Sequence, residues 1–92
     1  MRPSEIEMAN FLESLKAPQC RRIVETLVEE PQTVSQLIKK SKLSKSSIEI
    51  HLQLLTKAKL VVKKKRNSGI YYVLNNRLLK RNADWFAKFL EM

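Results

Sequence analysis

The chain has 92 residues, a formal charge of +9 at pH 7, one cysteine and 43% apolar residues. A chain of this length buries roughly 60–70% of its unfolded surface and folds as one domain without staples, and its ordinary apolar content argues against disorder. A single cysteine, Cys20, rules out an internal disulfide, and no apolar run approaches the ~18–20 residues that a membrane span needs.

The N-terminal stretch MRPSEIEMANFLESL carries acidic residues and helical spacing where a signal peptide would have a basic start and an apolar block, so a cytoplasmic location is expected. Ser4 and Glu7 have the spacing of a capping box, and Ile6, Met8, Phe11, Leu12 and Leu15 follow at intervals that predict a first helix over 4–16. Pro18 suits the first turn of a second helix, in which Ile23, Val24, Leu27 and Val28 form one stripe before Pro31 stops it. Thr33 with Gln36 is another capping box and opens a short third helix holding Val34, Leu37 and Ile38. Ser44 is a good N-cap for a fourth helix over 44–58, and two helices joined by about three or four residues read as a helix-turn-helix. LVVKKKR and IYYVLN are β-branched and aromatic runs separated by NSG, which contains the only glycine, Gly69; they predict a hairpin over 60–75. The closing segment NRLLKRNADWFAKFLEM puts Leu78, Leu79, Trp85, Phe86, Phe89 and Leu90 on a broad apolar face, predicting a last helix over 77–91. With no repeat and no linker, residues 1–92 read as a single domain, mainly α with a small β-hairpin.

The charge is segregated. Residues 1–34 hold four basic side chains against six glutamates, for −2, whereas residues 35–92 hold fourteen against three acidic ones, for +11. Lysines that merely keep a small protein soluble would explain the total but not the asymmetry, which suggests a polyanionic partner. In the fourth helix, Ile48, Leu52 and Leu55 share one sector of about 60°, at roughly 100° per residue, and face the other helices. Ser46, Glu49, Ile50 and Gln53 fall on the opposite side, with Lys45 opening the face. A helix of this length is ~21 Å long and its width suits the ~12 Å major groove of DNA. The plain alternative is a solvated face, with Glu49 simply pairing along the helix with Lys45 or Gln53. An isoleucine in that face and the lysine-rich hairpin behind it favour contact with double-stranded DNA.

From LKAPQCRRIVETL through TVSQLIKKSKLSKSSIEIHLQLLTKAKLVVKKKRNSGIYYVLN, about residues 15–76, the sequence resembles the winged helix-turn-helix of ArsR-type bacterial and archaeal transcriptional regulators. LSKSSIEIHLQLLTKAKLV is similar to that family's recognition helix: leucine-serine opens it, histidine-leucine occupies its middle and a leucine-valine strand start follows. GIYYVL resembles the second wing strand. The terminal helices fit the family's dimerising helices in position rather than by motif. The resemblance implies a homodimeric repressor, with 44–58 of each subunit in the major groove of a near-palindromic operator. Lys45, Ser46, Ser47, Glu49, Ile50 and His51 match the contacting positions, Gln53 continues the face, and Lys63, Lys64, Lys65, Arg66 and Asn67 of the wing would lie near phosphates or the minor groove. Physical chemistry supports the division: Lys and Ser position the protein on phosphates, while Ile50 suits a thymine methyl and Glu49 a cytosine amino group.

The departures from the family pattern matter too. Relatives that sense metals use a cysteine-rich third helix, or Asp and His ligands on the last helix. With one Cys and one His, this chain cannot assemble a thiolate or imidazole cluster within a subunit, so no metal and no cofactor is expected. Cys20 is either an inert packing residue or a reactive thiol in a helix's first turn. Lys42 takes the turn position where relatives often carry glycine. Trp85, Phe86 and Phe89 are a large apolar load for a helix beyond the wing. A two-fold dimer that pairs this helix with Phe11 and Leu15 of the first would bury it, and the alternative is packing wholly on the chain's own core. No nucleophile-base pair or phosphate-cradling glycine loop is present, so an enzyme is not expected. The alternative left open is a winged helix whose basic face docks an acidic protein, or an RNA. The sequence does not identify an effector.

Overall fold

The computed structural model describes residues 2–90, excepting the side chains of Phe89 and Leu90. Its elements are α1 (Glu5–Ser14), α2 (Pro18–Glu29), α3 (Val34–Ser41), α4 (Lys45–Lys57), β1 (Val61–Arg66), β2 (Gly69–Leu74) and α5 (Asn76–Leu90). This is a winged helix-turn-helix, and the element order is the one the sequence predicts. No helix among the described residues is long and apolar enough to cross a membrane.

Local chemistry sets the helix ends. Ser4 accepts from the Glu7 amide at 3.0 Å, and Arg21 closes the end of α1 by donating to the Leu15 and Lys16 carbonyls at 2.8 and 3.0 Å. At α3 the capping box is complete: Gln36 N–H donates to Thr33 Oγ1 at 3.2 Å and Thr33 N–H to Gln36 Oε1 at 2.8 Å. Lys42 ends α3 in the left-handed region, φ 60° and ψ 26°, with its N–H on the Ile38 carbonyl. Ser44 then caps α4 through the Ser47 amide at 3.2 Å. The far end of α4 is a Schellman closure. Lys59, at φ 63°, donates to Thr56 O, and Leu60 donates to Leu55 O. Such positions favour glycine, because a side chain at positive φ costs on the order of 1 kcal/mol; here lysine fills both.

The wing is a two-stranded antiparallel sheet with Val61 opposite Leu74 and Arg66 opposite Gly69. Positive φ, 134°, falls on Gly69. A third arm that the sequence pattern does not signal completes the base of the wing. Gln32, between α2 and α3, donates its N–H to Tyr72 O at 3.1 Å and accepts from Tyr72 N–H at 2.7 Å. Asn75 ties the other side by donating to the Lys59 carbonyl and accepting from Leu78 N–H, which also caps α5.

The core gathers one stripe from each helix, among them Phe11, Ile23, Leu37, Ile48, Leu55 and Leu78, and is sealed by Leu60, Val61 and Leu74 at the root of the wing. Three apolar residues expected in the stripes lie outside it. Val28 is 60% exposed because Cys20, Ile23, Val24 and Leu27 already complete the inner face of α2. Ile6 and Leu12 are 76% and 48% exposed because α1 turns Met8, Phe11 and Ser14 inward.

Glu7 also departs from expectation. Its carboxylate does not return to the Ser4 amide to complete a capping box. It instead accepts from Arg81 Nε and Nη2 at 3.0 and 2.7 Å and from Asn82 Nδ2 at 2.9 Å, bolting α1 to α5. Beside this bolt Phe11 meets Phe86 with ring centroids 6.4 Å apart, and Trp85 stands edge-on to Phe86. Phe11, expected to offer surface to a second copy, is only 5% exposed because Phe86 of its own chain and the surrounding core enclose it. Leu15, Trp85 and Phe86 are half-buried, and the Phe89 side chain lies outside the described residues.

The Arg81 guanidinium, and then the Asn82 amide, hold the Glu7 carboxyl below its ordinary value against the opposing effect of burial. A carboxylate whose folded-state pKa is lowered contributes stability above its unfolded pKa, about 4.3, and that contribution is lost as pH falls through the folded value. Glu7→Ala is therefore expected to destabilise the chain by about 1–3 kcal/mol at neutral pH. The deficit relative to the parent should shrink below about pH 4, as measured by urea unfolding across a pH series.

Candidate nucleic-acid interface

The orientation of α4 follows from its inner stripe: Ile48, Leu52 and Leu55 are at most 3% exposed. Helical geometry then turns Lys45, Ser46, Glu49, Ile50 and Gln53 outward, and all five are exposed. Ile50, at 57% exposure, is an apolar residue standing in water in the middle of a polar face. Lys45 Nζ lies 4.0 Å from Glu49 Oε1, so the pairing along the helix does exist. With side chains 75% and 54% exposed, it is a weak tether that leaves both groups available.

Ser47 and His51 are half-buried and engaged with each other. His51 Nδ1 lies 2.6 Å from the Ser47 carbonyl and 3.3 Å from its hydroxyl. A carbonyl only accepts, so Nδ1 carries the hydrogen and Nε2 is the nitrogen left for an outside partner. Among the described residues no group of three or more His, Cys, Asp or Glu side chains could hold a metal. Cys20 is fully buried on α2, with its thiol 4.0 Å from the His51 carbonyl. Burial pushes that thiol above its ordinary value, only partly offset by the Arg21 charge, and this supports the packing role over the reactive one.

On the wing, Lys63, Lys64, Lys65, Arg66 and Asn67 are all exposed. Strand alternation divides the first four between two faces, and Asn67 lies in the turn. Arg66 sits over the Tyr71 ring, 5.3 Å from its centroid, and the Tyr71 hydroxyl is 3.0 Å from Ser68 Oγ, which steadies the tip. Lys63 lies opposite Tyr72, and this pair closes a groove of about 390 Å³ between wing and helix whose α4 wall includes Glu49, Gln53, Thr56 and Lys57. The structure thus brings Glu49, Gln53 and Lys63 of the expected set to one groove, and Thr56, Lys57 and Tyr72 join them there. Spacing of three, four and seven residues from Glu49 and Gln53 marks Thr56 and Lys57 as continuing the face. Tyr72 carries no comparable sequence signal.

A protein-family model described as the bacterial regulatory protein arsR family matches residues 18–63, from the start of α2 into β1. The chain belongs to the ArsR family. Members of this family are transcriptional regulators, and this chain carries their DNA-binding winged helix-turn-helix. It is similar to the transcriptional repressor SdpR of Bacillus subtilis (strain 168), with 28% identity over 83 residues that cover 90% of this chain and 92% of the relative. NolR from Sinorhizobium fredii is 31% identical over 87% of this chain and 88% of its own, with a TM-score of 0.71. A homodimeric winged helix-turn-helix DNA-binding domain from Mycobacterium bovis shares the fold at 16% identity, with a TM-score of 0.75 over 92% of this chain and 80% of its own.

In the native ArsR-family chain, Cys20 is expected to react with a water-soluble aromatic disulfide roughly a hundredfold or more slowly than in urea, because attack requires local opening of α2. Stopped-flow absorbance at matched pH measures the ratio.

Proposed function

We propose that the chain is a cytoplasmic repressor that binds a near-palindromic operator as a homodimer. Residues 1–92 then form one DNA-binding domain, whose terminal helices, 4–16 and 77–91, make the dimer interface. The observation that carries this reading is the outward face of α4, where an exposed Ile50 stands between Glu49 and Gln53 on a helix locked from behind by three buried residues. Ile50 packs on a thymine methyl, Glu49 and Gln53 read base edges, and Lys45 and Ser46 set the register on phosphates. Ser47 orients His51 through its Nδ1–H, and the outer edge of the ring lies along the DNA backbone. Lys63, Lys64, Lys65, Arg66 and Asn67 follow the flanking strand, with Lys63 inside the groove beside α4 and the others farther along the wing.

The dimer reading is supported by the exposed Ile6 and Leu12 on α1 and the half-buried Leu15, Trp85 and Phe86, together with the homodimeric state of the similar Mycobacterium bovis domain. The enclosed Phe11 acts as backing for Phe86 in that interface. Pairing the terminal helices across a two-fold axis sets two α4 helices about one DNA turn, ~34 Å, apart. The repressor name of the Bacillus subtilis relative supports the direction of control.

Binding of the purified chain to selected genomic fragments tests the reading. Replacing Lys64 and Lys65 with alanine is expected to weaken binding to all sequences and to lower the slope of log affinity against log salt by about 2. Glu49→Ala and Ile50→Ala are expected to change preference by ~1–3 kcal/mol at a few base pairs. If neither substitution alters the preferred sequence, α4 is not the reading helix. Binding to an acidic protein with no groove protection on DNA would favour the docking alternative.

A further inference from the structure

We propose that Lys42, in the turn between α3 and α4, is a positioning residue for DNA: its ammonium group holds a backbone phosphate at the entry of α4, at the end of that helix opposite the one from which the wing leaves. The inference rests on α4 being the reading helix and adds a contact outside both α4 and the wing. The turn also lies outside the terminal helices, 4–16 and 77–91, that pair in the proposed dimer.

The backbone supplies the first observation. Lys42 holds a left-handed conformation, φ 60° and ψ 26°, that most side chains disfavour and that glycine or asparagine accepts more readily. Such a conformation persists only where its surroundings fix it, and non-glycine residues kept in it cluster at binding sites. The fixing is visible around Lys42. Ser41 is buried, its hydroxyl donating to the Leu37 carbonyl and accepting from the Leu43 amide at 3.3 Å, and Arg22 Nη1 lies 3.5 Å from the Ser41 carbonyl. The Lys42 amide itself donates to Ile38 O at 3.0 Å. Two residues on, at most ~7 Å along the chain, Ser44 caps α4. The exposed Lys42 side chain thus stands on a braced turn beside the start of the reading helix.

Charge supplies the second. Lys40 pairs with Glu30 at 3.4 Å, and Lys45 Nζ lies 4.0 Å from Glu49. Lys42, exposed between them, has no ion-pair partner among the described residues. Lys39 and Lys40 already oppose the dipole at the end of α3, so that task does not call for a third cation in a disfavoured backbone. A phosphate does, because an ammonium on a flexible four-carbon stem donates to its oxygens from many directions. Lys63 lines the groove on the wing side of α4. A grip at Lys42 therefore gives the helix two backbone anchors, one ahead of the reading residues and one beside them, and together they set how deeply Ser46, Glu49 and Ile50 enter the major groove.

Duplex binding by the full chain is measured over a salt series by fluorescence anisotropy for the parent, Lys42→Asn, Lys42→Gly and Lys42→Arg, with thermal melting of each. Asparagine and glycine remove the charge while accepting the left-handed backbone, and arginine keeps both charge and strain. Lys42→Asn and Lys42→Gly are expected to weaken binding to the preferred site and to unrelated duplexes alike, roughly three- to tenfold at ~0.1 M salt, and to lower the slope of log affinity against log salt by about 1 per protomer. Their melting temperatures should be no lower than the parent's, and Lys42→Arg should bind within about threefold of it. A merely structural role would move stability and spare the salt slope. Unchanged affinity and slope in the Asn and Gly variants, a loss that Lys42→Arg shares, a loss seen only with a lowered melting temperature, or an altered base preference would each overturn the assignment. If Glu49→Ala and Ile50→Ala shift base preference while the Lys42 variants bind like the parent, this inference falls and α4 remains the reading helix. Base preference unmoved by those two α4 substitutions sinks the reading of α4 through a measurement in which Lys42 takes no part.

Discussion

The rotation of α4 about its own axis is the constraint on which the rest of the molecule depends. Ile48, Leu52 and Leu55 lie within the same core as Ile23 and Leu37 from the two preceding helices. Turning α4 by even one residue, about 100°, would bring a buried aliphatic chain into water and a charged one inside, at several kcal/mol. The outward face therefore follows from the inward one. Ser44 at one end and the Lys59 closure at the other fix the length of the helix as well as its roll. The wing inherits its position from the same arrangement, because Leu60 and Val61 leave the end of α4 directly into the core.

The backbone uses lysine where a bare glycine would be least strained. Lys42 and Lys59 both take left-handed conformations, one between the helices of the helix-turn-helix and one between α4 and the wing. Each costs on the order of 1 kcal/mol relative to glycine, yet each supplies one of the cations behind the +11 charge of residues 35–92. Glycine at these positions would also leave the unfolded chain with more entropy to lose, which offsets part of the strain. The one glycine is kept for the wing turn, where φ reaches 134°.

Much of the architecture was legible because each of the first four helices announces itself twice, by a start signal and by a stripe. Ser4, Pro18, Thr33 and Ser44 mark starts, and the stripes containing Phe11, Ile23, Leu37 and Ile48 mark inner faces. What stayed hidden depends on pairs far apart in the chain. Glu7 has the spacing of a capping box, and only tertiary structure reveals that Arg81 and Asn82 outcompete the local amide for it. Gln32 meets Tyr72 through backbone bonds that any side chain would allow, so no pattern signals them. The face of α4 was readable from periodicity, whereas the groove that Tyr72 closes against it depends on where the hairpin folds back. The exposure of Val28, Ile6 and Leu12 shows the same limit: a periodic stripe can be wider than the neighbour it packs against.

The bridge between Gln32 and Tyr72 makes the wing a cantilever. A two-stranded ribbon is compliant on its own, but this one is clamped at its root by Gln32 on one side and Asn75 on the other. Bending is thereby confined to the outboard half, from Lys64 to the turn. In the proposed complex Lys63, opposite the clamped Tyr72, would keep a fixed bearing on α4, while the cations beyond it would follow the contour of the double helix. The stiff portion sets the alignment and the supple portion adapts to it.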